Sequence, residues 1–258
     1  MKKIDLTPQN HSRKVGHKCE YIEPNVTEDS IFYYEGIPIG FYLTNMPEKM
    51  NKLVDLANAE FLSDRVPKSK MSRGTKKQAI AKGVEWVEQY STILGSVPPK
   101  AHMRRLYKSI GSVHGIPTAK TFIKAMLLLA KESEKLIKEI LPEQYEAQKE
   151  LLSKVDEQWK FGNLFTSSIS NFNISAPFHQ DNANIKGAVN VIITKRKNAK
   201  GGSLHVPDYN ATIEQSNNSI LVYPAWRNMH GVTPILPTHK DGYRNSLIFY
   251  ALKAFVNK

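Results

Sequence analysis

The chain has 258 residues, 41% of them hydrophobic, and a formal net charge of +12. This length and apolar content support a buried core and exclude a disordered chain. The longest apolar run, AMLLLA at 125–130, falls far short of the ~20 residues that span a bilayer, and the single cysteine, Cys19, excludes an internal disulfide.

The N-terminal MKKIDLTPQNHSRK is basic, with no apolar segment behind it, so no secretory signal is expected and the expected setting is intracellular and cytoplasmic. His11, His17 and Cys19 are zinc-ligand types, but a fourth ligand for a closed site is not evident. The stretch EDSIFYYEGIPIGFYLTN (28–45) reads as strand. MPEKMNKLVDLANAEF (46–61) places Met50, Leu53, Val54, Ala57 and Phe61 on one helical face, with Pro47 in the first turn. KKQAIAKGVEWVEQYSTIL (76–94) is a second expected helix, ended by Gly95 and Pro98-Pro99. The strongest periodicity covers 118–141, where Thr118 is the expected cap and Phe122, Met126, Leu129 and Leu136 share a face. Pro142 opens a further helix over 142–159.

Beyond about residue 161 the pattern changes to short Val-, Ile-, Phe- and Tyr-rich segments: 164–174, 187–195, 201–206, 218–225 and 244–252. Gly201-Gly202, Asp208 and Asn217-Asn218 read as the turns between them. The expected class is α+β, with a double-stranded β-helix (jelly roll) over 161–258 and a mainly helical half, 1–160, packed on it. No repeat or low-complexity segment is present.

Excess Lys and Arg attract polyanions by releasing their counterions. Here the positive charge concentrates in KSKMSRGTKK (68–77), KAHMRRLYK (100–108) and KRKNAK (195–200), with Tyr90 and Tyr107 nearby. Lys68, Lys70, Arg73, Lys76, Arg104 and Arg105 are the candidate phosphate contacts, although a single lysine on a helix is ordinarily just solvated.

One motif carries more chemistry. In SAPFHQDNAN (175–184), His179 and Asp181 stand two apart, the strand spacing that aims both side chains to one face. A facial triad for non-haem Fe(II) needs a second histidine. MHGVTP (229–234) supplies His230, 49 residues after Asp181, between two expected strands. Each piece alone is ordinarily structural. Fourteen residues after His230 comes Arg244, opening a mostly apolar strand where an unpaired guanidinium would be costly. An arginine so placed is suited to clamp a carboxylate through two parallel hydrogen bonds. The order His-x-Asp, His, Arg fits iron on the triad and a 2-oxo acid whose distal carboxylate meets the arginine.

On these residues the sequence resembles the Fe(II)/2-oxoglutarate dioxygenases, and within them the TET/JBP branch, over roughly residues 163–252. HGVTP followed by RNSLIFYAL is close to the family pattern. The resemblance implies one dioxygenase domain over 1–258, using Fe(II), 2-oxoglutarate and O2, with ascorbate as a helper. It implies hydroxylation of the 5-methyl group of 5-methylcytosine or thymine in DNA, on a base flipped out of the duplex. His179, Asp181 and His230 would be the iron ligands; Arg244, Ser246 and His205 would meet the cosubstrate. Asn184 and Tyr250 would meet the base, with Trp226 or Tyr250 stacking it. A further cosubstrate arginine would be Arg73, Arg104 or Arg105. Two features depart from the animal enzymes: Leu252 stands where they carry a base-reading histidine, and their Cys-rich zinc region is missing. The compact size suits a viral or bacterial member, expected to be monomeric and away from membranes. Hydroxylation of RNA, protein or a small molecule, and a non-catalytic jelly-roll module that binds nucleic acid, are the competing readings.

Overall fold

The computed structural model describes residues 1–71, 87–100 and 104–257. In chain order the strands are β1 (Lys2–Asp5), β2 (Ser30–Tyr34), β3 (Ile37–Leu43), β4 (Ser69–Lys70), β5 (Tyr90–Val97), β6 (Ser109–Ile110), β7 (Ser167–Phe172) and β8 (Ala176–His179). They continue with β9 (Asn190–Lys197), β10 (Ala199–Gly201), β11 (Leu204–Val206), β12 (Ala211–Ile213), β13 (Ser219–Tyr223), β14 (His230–Val232), β15 (Ile235–Pro237) and β16 (Tyr243–Tyr250). The α-helices among the described residues are α1 (Glu48–Leu62), α2 (Lys120–Ile140) and α3 (Pro142–Ser153).

Two sheets face each other as a jelly roll. The larger runs β1-β2-β3-β13-β9-β16-β7-β5-β4, with β6 on β5, and the smaller runs β12-β11-β14-β8. Side-chain alternation divides the work of the large sheet. On β16 and β9, Leu247, Phe249, Val191 and Ile193 point outward and are buried with Phe61 of α1 and Phe122, Met126 and Leu129 of α2. The other face of the same strands, carrying Arg244, Ser246, Ile248, Tyr250, Asn190 and Ile192, lines a cavity between the sheets. The helices therefore hold the sheet from behind and leave its inner face for polar groups.

The N-terminal half contributes more strand than its periodicity suggests, since β1 to β6 all lie before residue 161 and join the large sheet. Over 90–94 the expected helix is instead part of β5, which pairs in register with β7 from Tyr90↔Phe172 to Gly95↔Ser167. Pairing with a neighbouring strand overrides a helix-like spacing there; residues 76–86 of that expected helix, Lys76 among them, lie outside the described residues, as does Arg73. Thr118 does not cap α2: its hydroxyl donates to the Arg65 carbonyl at 2.7 Å, and a single 3-10 turn, Pro117–Ala119, leads into the helix. Pro142 occupies the first turn of α3 as expected. No helix among the described residues is long and apolar enough to cross a membrane.

Candidate metal centre

His179 ends β8 and His230 opens β14, and the two are direct partners in the antiparallel pairing of the small sheet. Their rings lie 4.4 Å apart between centroids. Asp181 follows β8 by two residues, and its Oδ1 is 3.7 Å from His179 Nε2. One ligand atom from each of the three residues lies within 4.8 Å of the others, forming the metal-capable group among the described residues.

The hydrogen bonds around the triad fix its donor atoms. His179 Nδ1 donates to the Pro177 carbonyl at 2.8 Å, and His230 Nδ1 donates to the Asn228 carbonyl at 3.1 Å. A carbonyl only accepts, so Nδ1 carries a proton on both rings and Nε2 is the ring nitrogen left for a metal. Burial, reinforced by the nearby His179, pushes the His230 imidazole down to about 4, which keeps it in the neutral form a metal requires. Asp181 Oδ2 accepts from Asn190 Nδ2 at 3.1 Å and Asn184 Nδ2 at 3.4 Å, leaving Oδ1 on the histidine side. Two imidazoles and one carboxylate with oriented partners fit a divalent iron ion.

The triad opens into the cavity between the sheets, about 360 Å³ in volume. Arg244 and Tyr250 both face it, six residues apart on one side of β16, which separates them by roughly 20 Å at ~3.3 Å per residue. Arg244 is buried, its Nε has no hydrogen-bond partner, and no ion pair forms with it among the described residues. Burial, with a contribution from Arg196, lowers its pKa to about 9. Ser246, next along the same face, has an equally unpartnered buried Oγ. A buried cation and a spare hydroxyl without protein partners make a cradle for an anion. Gly202 is what lets Arg244 lie there: a Cβ at that position would fall 2.5 Å from Arg244 Cδ.

At the other end of the cavity stand Asn184, Tyr250, Leu252 and Tyr223. Tyr250 is buried, and burial, with Asp181 nearby, pushes its hydroxyl well above the usual tyrosine range. Tyr223 packs edge-on against the His230 ring at 5.5 Å between centroids. Asn184 is committed to its neighbours, donating to Asn190 Oδ1 at 2.9 Å as well as to Asp181. Its carbonyl oxygen is what it has left to present.

Several expected contacts sit elsewhere. His205 faces away from the cavity; its Nδ1 meets Thr212 Oγ1 at 2.9 Å and its ring abuts Phe178, while the adjacent Leu204 lines the wall. Trp226 lies in the turn beside Gln180, which donates to its carbonyl at 2.7 Å, and it is not part of the cavity wall. Of the arginine candidates Arg105 lines the cavity, anchored by Nε to the Pro98 carbonyl at 2.7 Å; Arg104 is exposed, and Arg73 lies outside the described residues. Lys68 is engaged at the end of α1, donating to the carbonyls of Phe61 at 2.9 Å and Ser63 at 2.8 Å. His11 pairs with Asp208 at 2.6 Å, and Cys19 is buried against Gly231, so those residues are not gathered around one point. Asn190, Tyr223 and Gly202 carry parts of the site that spacing did not single out.

The family model of the Tet_JBP oxygenase domain of the 2OGFeDO superfamily matches residues 112–253. No curated protein matches the chain. Among solved structures, NgTET1 in complex with 5mC DNA superposes with a TM-score of 0.62 at 15% identity, covering 96% of this chain and 85% of that one. An oxidoreductase of the 2OG-Fe(II) oxygenase family from Burkholderia pseudomallei aligns with a TM-score of 0.46 at 15% identity, over 85% of this chain and 88% of that one. OsALKBH1 aligns with a TM-score of 0.41 at 12% identity, over 90% of this chain and 100% of that one.

Proposed function

Because this chain belongs to the Tet_JBP oxygenases of the 2OGFeDO superfamily, we propose that it hydroxylates the 5-methyl group of a pyrimidine in DNA, 5-methylcytosine or thymine. The observation that carries the reading is the shared cavity, in which the His179, Asp181 and His230 donors and the unpaired Arg244 face one space. His179 Nε2, Asp181 Oδ1 and His230 Nε2 would hold the iron. Fe(II), 2-oxoglutarate and O2 together supply the oxidising power that turns a methyl C–H into C–OH, with succinate and CO2 as the other products.

The protein's own part is placement. Arg244 and Ser246 bind the far carboxylate of the oxo acid, exchanging two unpartnered buried groups for charge-assisted hydrogen bonds. Arg105, which also lines the cavity, would add a further cosubstrate contact. Tyr250 offers an aromatic face at the opposite end, and Asn184 offers its remaining carbonyl oxygen to a donor on the base edge. Leu252 leaves the wall beside them apolar.

A methyl group of a paired base lies in the major groove, and a cavity enclosed between two sheets cannot reach it there. The base must leave the stack, at a cost of a few kcal/mol that phosphate contacts offset. The +12 net charge supports a polyanionic partner, and so does the fold shared with NgTET1, whose structure was solved with 5mC DNA. Incubating the full chain, Fe(II) and 2-oxoglutarate with duplexes that contain 5-methylcytosine or only thymine, followed by nucleoside mass spectrometry, tests this reading. A hydroxymethyl nucleoside from one of them is expected; none from either would overturn it.

A further inference from the structure

Asn190 is the first residue of β9, a central strand of the large sheet held by β13 on one side and β16 on the other. It is 3% exposed and sits opposite Tyr223 in register. Its side chain closes a triangle with Asp181 and Asn184. Asn190 Nδ2 donates to Asp181 Oδ2 at 3.1 Å, Asn184 Nδ2 donates to the same oxygen at 3.4 Å, and Asn184 Nδ2 also donates to Asn190 Oδ1 at 2.9 Å. A carboxylate only accepts, so the orientation of both amides is set by Asp181 itself.

Asp181 needs such support. It lies on the turn after β8 rather than within a strand, and its side chain is 34% exposed. A carboxylate there can rotate about its last bond and offer either oxygen, or both, to a cation. Asn184 shares this turn, being only three residues on, and its contact is the longer one. Asn190 approaches from a different element, one fixed by pairing on both sides. It therefore ties the triangle to the centre of the paired sheet.

We propose that Asn190 is a positioning residue for Asp181: it holds Oδ2 back so that Oδ1 alone faces the two imidazoles. An Oδ2 occupied by two amides is not free to take a second place on the ion, which keeps positions open for the oxo acid and oxygen. The same triangle uses the Asn184 amide hydrogens inside the protein, so Asn184 meets the cavity as an acceptor only. This inference rests on the metal-binding reading above.

The test is a titration of the full-length apo protein with Co(II), read by visible d–d absorption, for the wild type, Asn190→Ala and the near-isosteric Asn190→Leu. Circular dichroism identifies the folded variants, and either one suffices. Loss of an outer partner of a metal ligand lowers affinity about 10–100-fold, and that loss, or an altered Co(II) spectrum reporting a changed carboxylate, is expected. A folded variant with wild-type affinity and a wild-type spectrum would overturn the role of Asn190. A wild type that binds no Co(II) would instead overturn the metal-binding reading itself, so the two failures are distinguishable.

Discussion

His179 and His230 stand opposite one another on adjacent antiparallel strands, their rings 4.4 Å apart. Both Nδ1 atoms are tied to backbone carbonyls, so neither ring can turn away without breaking a hydrogen bond. Replacing either residue with alanine removes a donor that the remaining pair cannot supply. Each variant is expected to lose more than ~100-fold in Co(II) or Fe(II) affinity, exceeding the effect of an outer-shell change, while circular dichroism remains that of the wild type. Equilibrium metal titration checks this.

Arg244 gives a prediction with two opposite signs. In the protein without cosubstrate, its buried guanidinium has no ion pair among the described residues. Arg244→Met exchanges that charge for an apolar side chain of similar reach, so the apo protein should melt at a higher temperature. The same change removes charge-assisted hydrogen bonds worth about 1.5–3 kcal/mol each, so affinity for 2-oxoglutarate should fall at least ~10-fold. Thermal denaturation with and without 2-oxoglutarate reads both effects.

How much of this was legible in the sequence follows from what each residue does. The triad and Arg244 announce themselves because their chemistry is unusual for their setting: two histidines, a carboxylate and a cation among apolar strands. Asn190 and Tyr223 carry no such signal, since an asparagine at a strand start and a tyrosine inside a strand are ordinary. Their importance comes from the pairing of β9 with β13 and from the packing of Tyr223 on the His230 ring across the cavity, which no local pattern reveals. Gly202 was legible as a turn, and only the packing of Arg244 against it shows the second reason for a glycine. The position of His205 depends on alternation: along β11 Leu204 turns toward the cavity and His205 away from it, and a shift of one position exchanges the two faces. Over 90–94 the apolar spacing is compatible with a helix, and the choice of strand is made by β7.

Gly202→Ala should damage the cosubstrate end without touching the metal ligands. The residue has φ +68°, and an added Cβ would lie 2.5 Å from Arg244 Cδ and 2.9 Å from Ile235 Cγ1. The left-handed backbone alone costs about 1–2 kcal/mol for a residue bearing a Cβ, and the contact also displaces Arg244. The expected result is a lower melting temperature and weaker 2-oxoglutarate binding, with Co(II) affinity retained.

Stability should also fall on mild acidification. His114 Nε2 accepts the Gly95 backbone N–H at 2.8 Å, and burial lowers its pKa below the ordinary value of 6.5. As pH falls through 6.5, the unfolded chain takes up a proton that the folded protein resists, so the unfolded state gains. Replacing His114 with glutamine, whose side-chain oxygen can accept the same N–H, removes this contribution. Melting temperatures between about pH 7.5 and pH 5.5 should therefore decline less steeply in His114→Gln than in the wild type.

The most direct measurement is the visible absorption of the full chain on adding Fe(II) and then 2-oxoglutarate without oxygen. The wild type should develop a charge-transfer band only when both are present, as expected of an oxo acid chelated at an open facial site. His179→Ala should lack the band, and Arg244→Gln should need more 2-oxoglutarate to reach it. A wild-type spectrum unaltered by 2-oxoglutarate, or a His179→Ala spectrum matching the wild type, would contradict a cosubstrate held between this triad and Arg244.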